Sequence, residues 1–204
     1  MRGILVEAAV ESLSAALAAA EGGAHRIELC VDLANGGTTP SLDLIRQAVA
    51  ELTIPVFVLV RPRTGDFAYS DRHHGAMLEQ IRQAKDAGAH GIVTGALDRL
   101  DELVAAAQPL PVTFHRAFDV KGDLEQAIRV GFDRVLTSGG APTAPQGATQ
   151  IAEYVRQAKG RITILPGGGI DATNVAQLVR ETGVNEVHFS VRDATKVRAV
   201  LAQV

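Results

Sequence analysis

The sequence predicts a (β/α)8 barrel. The first observation behind this is a fourfold repeat, in which a glycine precedes a short apolar strand at fixed offsets. The copies are Gly23-Ala24-His25-Arg26-Ile27-Glu28-Leu29-Cys30, Gly88-Ala89-His90-Gly91-Ile92-Val93-Thr94-Gly95, Gly131-Phe132-Asp133-Arg134-Val135-Leu136-Thr137-Ser138 and Gly183-Val184-Asn185-Glu186-Val187-His188-Phe189-Ser190. The second is that each glycine ends a helical pattern, where a left-handed C-cap is wanted. The third is a further strand pattern between successive copies. The repeat unit is therefore two βα units, and four copies make eight. Function in this architecture gathers at the carboxyl ends of the strands.

Along the chain, strand one covers about Ile4 to Ala8. A helix from about Ser12 places Ala and Leu at helical spacing and stops at Gly22-Gly23. Strand two is Arg26 to Cys30. Asn35-Gly36-Gly37-Thr38-Thr39-Pro40 reads as a loop, and Ser41 as the N-cap of a helix to Glu51. Strand three, Val56 to Arg61, is almost continuously apolar, as a parallel strand covered by helices should be. The loop from Pro62 to Asp71 holds Arg63, Asp66, Phe67 and Tyr69, and a helix follows to Ala87. His73 and His74 decorate the start of that helix as solvated surface. Strand four is Gly91 to Thr94, strand five Pro111 to His115 and strand six Arg134 to Thr137. Strand seven, Ile162 to Leu165, runs into Pro166-Gly167-Gly168-Gly169, and strand eight is Glu186 to Ser190. A last helix closes the chain. An open doubly wound sheet fits less well, since eight βα units in one series need closure or leave edges exposed.

The 204 residues suit one barrel domain over 1–204 with short loops. Charged residues are 21% and nearly balanced at a net charge of −3, so there is no basic stripe for nucleic acid and no polybasic segment for a membrane surface. The N-terminal Met1 to Glu7 reads as a first strand rather than a signal peptide. A single cysteine, Cys30, excludes an internal disulfide and makes the cytoplasm the default location.

Side chains alternate across a strand, and the outer face of the barrel must be apolar against its helices. Ile27, Ile92, Val135 and Val187 form the outward column, so Glu28, Val93, Leu136 and His188 face inward. Two residues later, Cys30, Gly95, Ser138 and Ser190 form an inward layer of small residues that leaves the mouth open for a ligand. Arg61 tops strand three, His115 and Arg116 end strand five, and Glu7 ends strand one. Glu7, Glu28, Arg61, His115 and His188 are therefore expected around one pocket.

Pro166-Gly167-Gly168-Gly169 is the sharpest local motif. Its glycines let backbone N–H groups approach an anion, at the usual phosphate position of this fold. A tight turn needing positive φ explains the same residues more plainly. Ser138-Gly139-Gly140 is a weaker partner. Glu7, Glu28 and His115 are the candidate proton-transfer groups. Arg61, Arg116, Ser138, Gly139, Gly167, Gly168, Gly169, His188 and Ser190 are the candidate ligand-binding set. Internal ion pairing between the arginines and glutamates competes with that role. No lysine ends a strand, which disfavours a Schiff-base aldolase. Asp32, Asp66 and Asp119 lie in the top loops without metal-ligand spacing. Cys30 offers a thiolate to a soft metal such as Cu(I), and His115 an imidazole. Cys30 also fits as a small top-layer residue. Met1 and Met77 are the only other sulfurs.

The sequence resembles the CutC family over essentially its whole length. The segments that carry the resemblance are Glu28-Leu29-Cys30 with Gly36-Gly37-Thr38-Thr39-Pro40-Ser41, Val60-Arg61-Pro62-Arg63 with Gly65-Asp66-Phe67-Ala68-Tyr69-Ser70-Asp71, Thr113-Phe114-His115-Arg116-Ala117-Phe118-Asp119, Val135-Leu136-Thr137-Ser138-Gly139 and Pro166-Gly167-Gly168-Gly169. The Glu7 position fits as well. The resemblance implies a cytoplasmic TIM barrel, often oligomeric, associated with copper homeostasis and copper binding, with Cys30 or His115 as ligands and no organic cofactor. This chain departs from the pattern in a shortened segment around Asp98 to Asp101 and in its histidines at 73 and 74. The alternative is a TIM-barrel enzyme acting on a small anionic or phosphorylated substrate at the mouth. A barrel whose polar set serves structure alone is the third reading.

Overall fold

The strand and helix order predicted from the repeat is present in the computed structural model, which describes residues 3–204. Met1, considered above as a sulfur donor, lies outside the described residues. The strands are β1 Leu5–Val10, β2 Arg26–Leu29, β3 Val56–Leu59, β4 Gly91–Thr94, β5 Val112–Phe114, β6 Arg134–Thr137, β7 Thr163–Pro166 and β8 Glu186–Ser190. The helices are α1 Leu13–Glu21, α2 Leu42–Glu51, α3 Asp71–Asp86, α4 Leu100–Ala107, α5 Phe118–Lys121, α6 Leu124–Val130, α7 Ala148–Ala158, α8 Val175–Thr182 and α9 Ala194–Leu201. Ser12 and Ser41 cap as expected, accepting from the amides of Ala15 (3.2 Å) and Leu44 (3.3 Å).

All strand pairs are parallel, in the order β7-β6-β5-β4-β3-β2-β1-β8. The cylinder closes between β7 and β8 through a parallel bridge of Gly167 with His188. Outward residues such as Ile27, Val58, Ile92, Val135 and Val187 are buried in the core shared with the helices.

The register advances one residue per strand, so inward residues stack in layers of four from alternate strands. Arg26, Gly91, Arg134 and Glu186 form a low layer. Glu7, Phe57, Thr113 and Leu165 lie above it. Glu28, Val93, Leu136 and His188 come next, then Ala9, Leu59, His115 and Gly167. Cys30, Gly95, Ser138 and Ser190 are uppermost, as the repeat predicts.

Two local readings change. Between β5 and β6 the helical pattern expected to end at Gly131 is α6, and a further short helix, α5, precedes it. His74 is not solvated: α3 packs on α4, which buries His74 to 2% exposure, its Nε2 lying 3.3 Å from a Glu102 carboxylate oxygen. His73 is half-buried, its Nδ1 lying 3.3 Å from the Ser70 hydroxyl.

Candidate functional site

The barrel floor is a ladder of buried charges. Arg26 pairs with Glu7 and, at 2.8 Å, with Glu186, which also accepts from Arg134 at 3.2 Å. The Arg26 and Arg134 guanidinium groups lie 4.8 and 5.4 Å from the centroid of the Phe57 ring. Gly91 makes room for that ring, because a Cβ there would lie 2.5 Å from it. Every charge in this layer thus has an opposite partner, which buried ions require.

Above the floor, Nδ1 of His188 donates to Oε1 of Glu7 at 2.8 Å, and Glu28 Oε2 lies 3.8 Å from the same nitrogen. Burial works to raise the Glu7 carboxyl, but His188 and Arg26 hold it at about 2. Burial opposes charging of His188, yet the two glutamates raise its pKa above the ordinary histidine value. Glu28 receives no hydrogen bond at Oε2, and burial lifts it to about 7, with His188 and Arg26 opposing and Glu7 adding to the rise. Two acidic side chains, 2.8 and 3.8 Å from one imidazole nitrogen, are therefore pushed in opposite directions. One is fixed as carboxylate, and the other exchanges its proton near neutrality.

His188 lines an open cavity of about 340 Å³ at the mouth, together with Gly167, Gly168, Gly169, Arg116, Ser190 and Lys196. With Nδ1 given to Glu7, the ring offers Nε2 to that cavity. Gly167 is inside the barrel, where a Cβ would lie 2.6 Å from Leu136 Cδ1 and 3.1 Å from His188 Cδ2. Gly168 and Gly169 have positive φ of 99° and 72°, the conformation that favours glycine. Among the described residues their amides donate to no protein acceptor. Lys196, at the start of α9, donates to the Ser190 carbonyl at 3.0 Å. Burial lowers its ammonium, with Asp171 opposing. Arg116 is paired with Asp119 and donates to Ser138 Oγ at 2.7 Å.

The five ionisable residues expected around one pocket divide into two groups. Glu7, Glu28 and His188 come together. Arg61 and His115 sit under the 62–70 loop, flanking Phe67 at 4.9 and 5.0 Å. Ser138 and Gly139 serve the loop after β6: Ser138 bonds Arg116 and the Ala141 carbonyl (2.5 Å), and the Gly139 amide donates to Thr137 Oγ1 at 2.8 Å. Ser190 and the three glycines line the cavity. Cys30 is fully buried with Phe57, Leu59 and Val93, its thiol donating to the Val10 carbonyl at 3.5 Å.

Sequence reasoning missed Arg26, Arg134, Glu186 and Lys196. The first three were within reach, because each stands two residues before an inward position of the same repeat. Lys196 belongs to a helix rather than a strand end and carried no such signal.

The profile described as the CutC family matches residues 4–193. A mouse protein named copper homeostasis protein cutC homolog is 47% identical over 204 residues, covering 94% of this chain and 75% of its own length. A family protein CutC from Mesorhizobium japonicum is 45% identical, covering 91% and 77%. The crystal structure of CutC from Streptococcus agalactiae superposes with a TM-score of 0.84 at 35% identity, over 91% of this chain and 98% of that one. A phosphoribosylanthranilate isomerase from Pyrococcus furiosus reaches 0.64 at 15% identity over 98% of each chain, a likeness of fold alone.

Proposed function

The chain belongs to the CutC family, whose curated relatives carry copper homeostasis names, and from its mouth geometry we propose that it binds a small phosphorylated ligand and moves a proton on it. The observation that carries this reading is the pair of unused Gly168 and Gly169 amides, flanked by Lys196 and Arg116, beside the imidazole held by Glu7. Backbone N–H groups and two cations suit a phosphate. His188 Nε2 is the group that meets the ligand, taking or giving the proton. Glu7 orients the ring through Nδ1, and Glu28 is the neighbouring proton store.

A Cu(I) site does not fit the same residues. Cu(I) prefers thiolate and thioether donors. Burial, with Glu28 and Glu11 adding, pushes the Cys30 thiol up, which keeps it protonated. Met77 is buried in the outer core shared by helices and strands. Glu7, Glu28 and His188 do form a three-donor cluster, but two of its donors are hard carboxylates that do not suit Cu(I), and Arg26 already supplies positive charge there. A cytoplasmic location accords with the lone cysteine, and no helix among the described residues is long and apolar enough to cross a membrane.

Thermal-shift titration with inorganic phosphate and a panel of phosphorylated metabolites tests the proposal. A ligand at a hundredfold its Kd adds about 2.7 kcal/mol to the native state. At least one phosphorylated compound should raise the Tm, and Lys196→Met should remove most of that rise. No response across the panel and to phosphate itself would refute the reading.

A further inference from the structure

Arg61 carries its charge into the protein without a carboxylate partner. It is 4% exposed, and its ion partners are only dipoles: Nη1 donates to the carbonyls of Asn35 (3.3 Å) and Gly37 (2.9 Å), Nη2 to that of Gly65 (2.8 Å). Its Nε–H is buried and has no acceptor. Removing an ion from water without an opposite charge is costly, and Arg26 and Arg134, the arginines of the barrel floor, avoid that cost through Glu7 and Glu186.

Two more unused donors accompany it. His115 is equally buried and packs against the Phe67 ring, which also stacks on the Arg61 guanidinium. The Ala117 amide donates to His115 Nδ1 at 3.1 Å, so the neutral ring keeps its proton on Nε2. That Nε2–H has no acceptor. Burial, then the Arg61 charge, pushes His115 down to about 3, so it stays neutral and cannot add a second charge. The Tyr69 hydroxyl is buried beside the Arg61 guanidinium and finds no acceptor for its own proton; burial raises its pKa against the charge and hydrogen bonding of Arg61, so it keeps that proton. One uncompensated positive charge and three N–H or O–H donors thus collect under the 62–70 loop without an acceptor.

We infer that a carboxylate binds beneath this loop, in a subsite built from Arg61 Nε, His115 Nε2 and the Tyr69 hydroxyl. A carboxylate supplies the one negative charge that Arg61 lacks and accepts several hydrogen bonds at two oxygens. The carboxylate belongs either to a separate small acid or to the second end of the ligand in the β7–β8 cavity. The subsite does not depend on the phosphate reading.

The test is NMR of the full chain with 15N-labelled histidine. Sodium formate is titrated in place of sodium chloride, and the His115 Nε2–H resonance is followed. Saturable movement is expected, with formate affinity reduced about tenfold or more in Tyr69→Phe, the loss of one hydrogen bond to a charged group. Inorganic phosphate affinity should be unchanged in that variant. Glycerol 3-phosphate and 3-phosphoglycerate separate the sources. Tighter binding of the phospho acid, with both His115 and His188 moving, assigns the carboxylate to the same ligand. Equal binding of the two, with formate alone moving His115, assigns it to a separate acid. Saturable formate binding without any phosphate response leaves this subsite standing and ends the phosphate reading. An unmoved or merely linear His115 response, or a Tyr69→Phe variant that binds formate as the native chain does, overturns the subsite. Should Tyr69→Phe fail to fold, Arg61→Lys, which keeps the charge but loses the Nε donor, must show the same loss.

Discussion

His188 Nδ1 lies 2.8 Å from Glu7 Oε1, although 181 positions separate the two residues in the chain. They are register partners across the β1–β8 ladder, beside the bridge that closes the barrel. One hydrogen bond therefore joins the closure of the fold to the group that faces the mouth.

Glu7→Gln should be severely destabilising. It deprives buried Arg26 of one of its two carboxylates and gives His188 a neutral amide oxygen in place of its charged acceptor. Removing one partner of a buried pair costs about 3–5 kcal/mol. Urea unfolding measures it, and a loss below about 1 kcal/mol would mean that the pair is solvated.

Glu28 predicts an unusual pH dependence. Its folded pKa, about 7, exceeds its ordinary 4.5, so the folded state binds the proton more tightly. Its contribution is complete below pH 4.5 and is lost as the pH rises through 7, a change of up to about 3 kcal/mol. His188, also raised, acts with the same sign, but only above its ordinary 6.5. Glu7, held at about 2, acts oppositely, contributing above 4.5 and losing that contribution as the pH falls towards 2. Unfolding free energy in Glu28→Gln should therefore be flatter than in the native chain between pH 4.5 and 6.5. Parallel curves would disprove the raised pKa.

Gly167→Ala tests the packing behind the imidazole. The added methyl would lie 2.6 Å from Leu136 Cδ1 and 3.1 Å from His188 Cδ2. Leu136 can turn aside, but the ring is tied to Glu7. Overpacking of this kind costs about 1–3 kcal/mol, and ligand affinity should fall with it. Unchanged stability and binding in the alanine variant would show that the glycine is not needed for space.

Cys30 should be inert in the native state. Its thiol is buried and its pKa pushed up, first by burial, so alkylation should proceed only through unfolding. Rapid labelling of the native protein would contradict this and reopen Cys30 as a thiolate donor.

Much of this arrangement was legible in the sequence because it repeats. The columns Ile27, Ile92, Val135, Val187 and Glu28, Val93, Leu136, His188 fix which side of each strand faces inward, and the structure keeps both. The small uppermost layer followed from the same alignment, and the Gly167–Gly169 loop at the cavity from its own run of glycines after strand seven. What alternation cannot supply is partner choice. It sends Arg61 and His115 to the mouth but does not say that loop carbonyls from Asn35, Gly37 and Gly65 would draw Arg61 away from the glutamates. It also says nothing of Lys196, whose place depends on how α9 docks beside β8.

The central claim is that the β7–β8 mouth holds a phosphate beside the imidazole oriented by Glu7. It is tested most directly by titrating inorganic phosphate into protein carrying 15N-labelled histidine, in the native chain and in Lys196→Met. The account predicts saturable movement of the His188 resonances in the native chain and affinity weaker by about tenfold or more in the variant. His188 resonances that stay fixed to saturating phosphate, or that respond equally in both proteins, would contradict it.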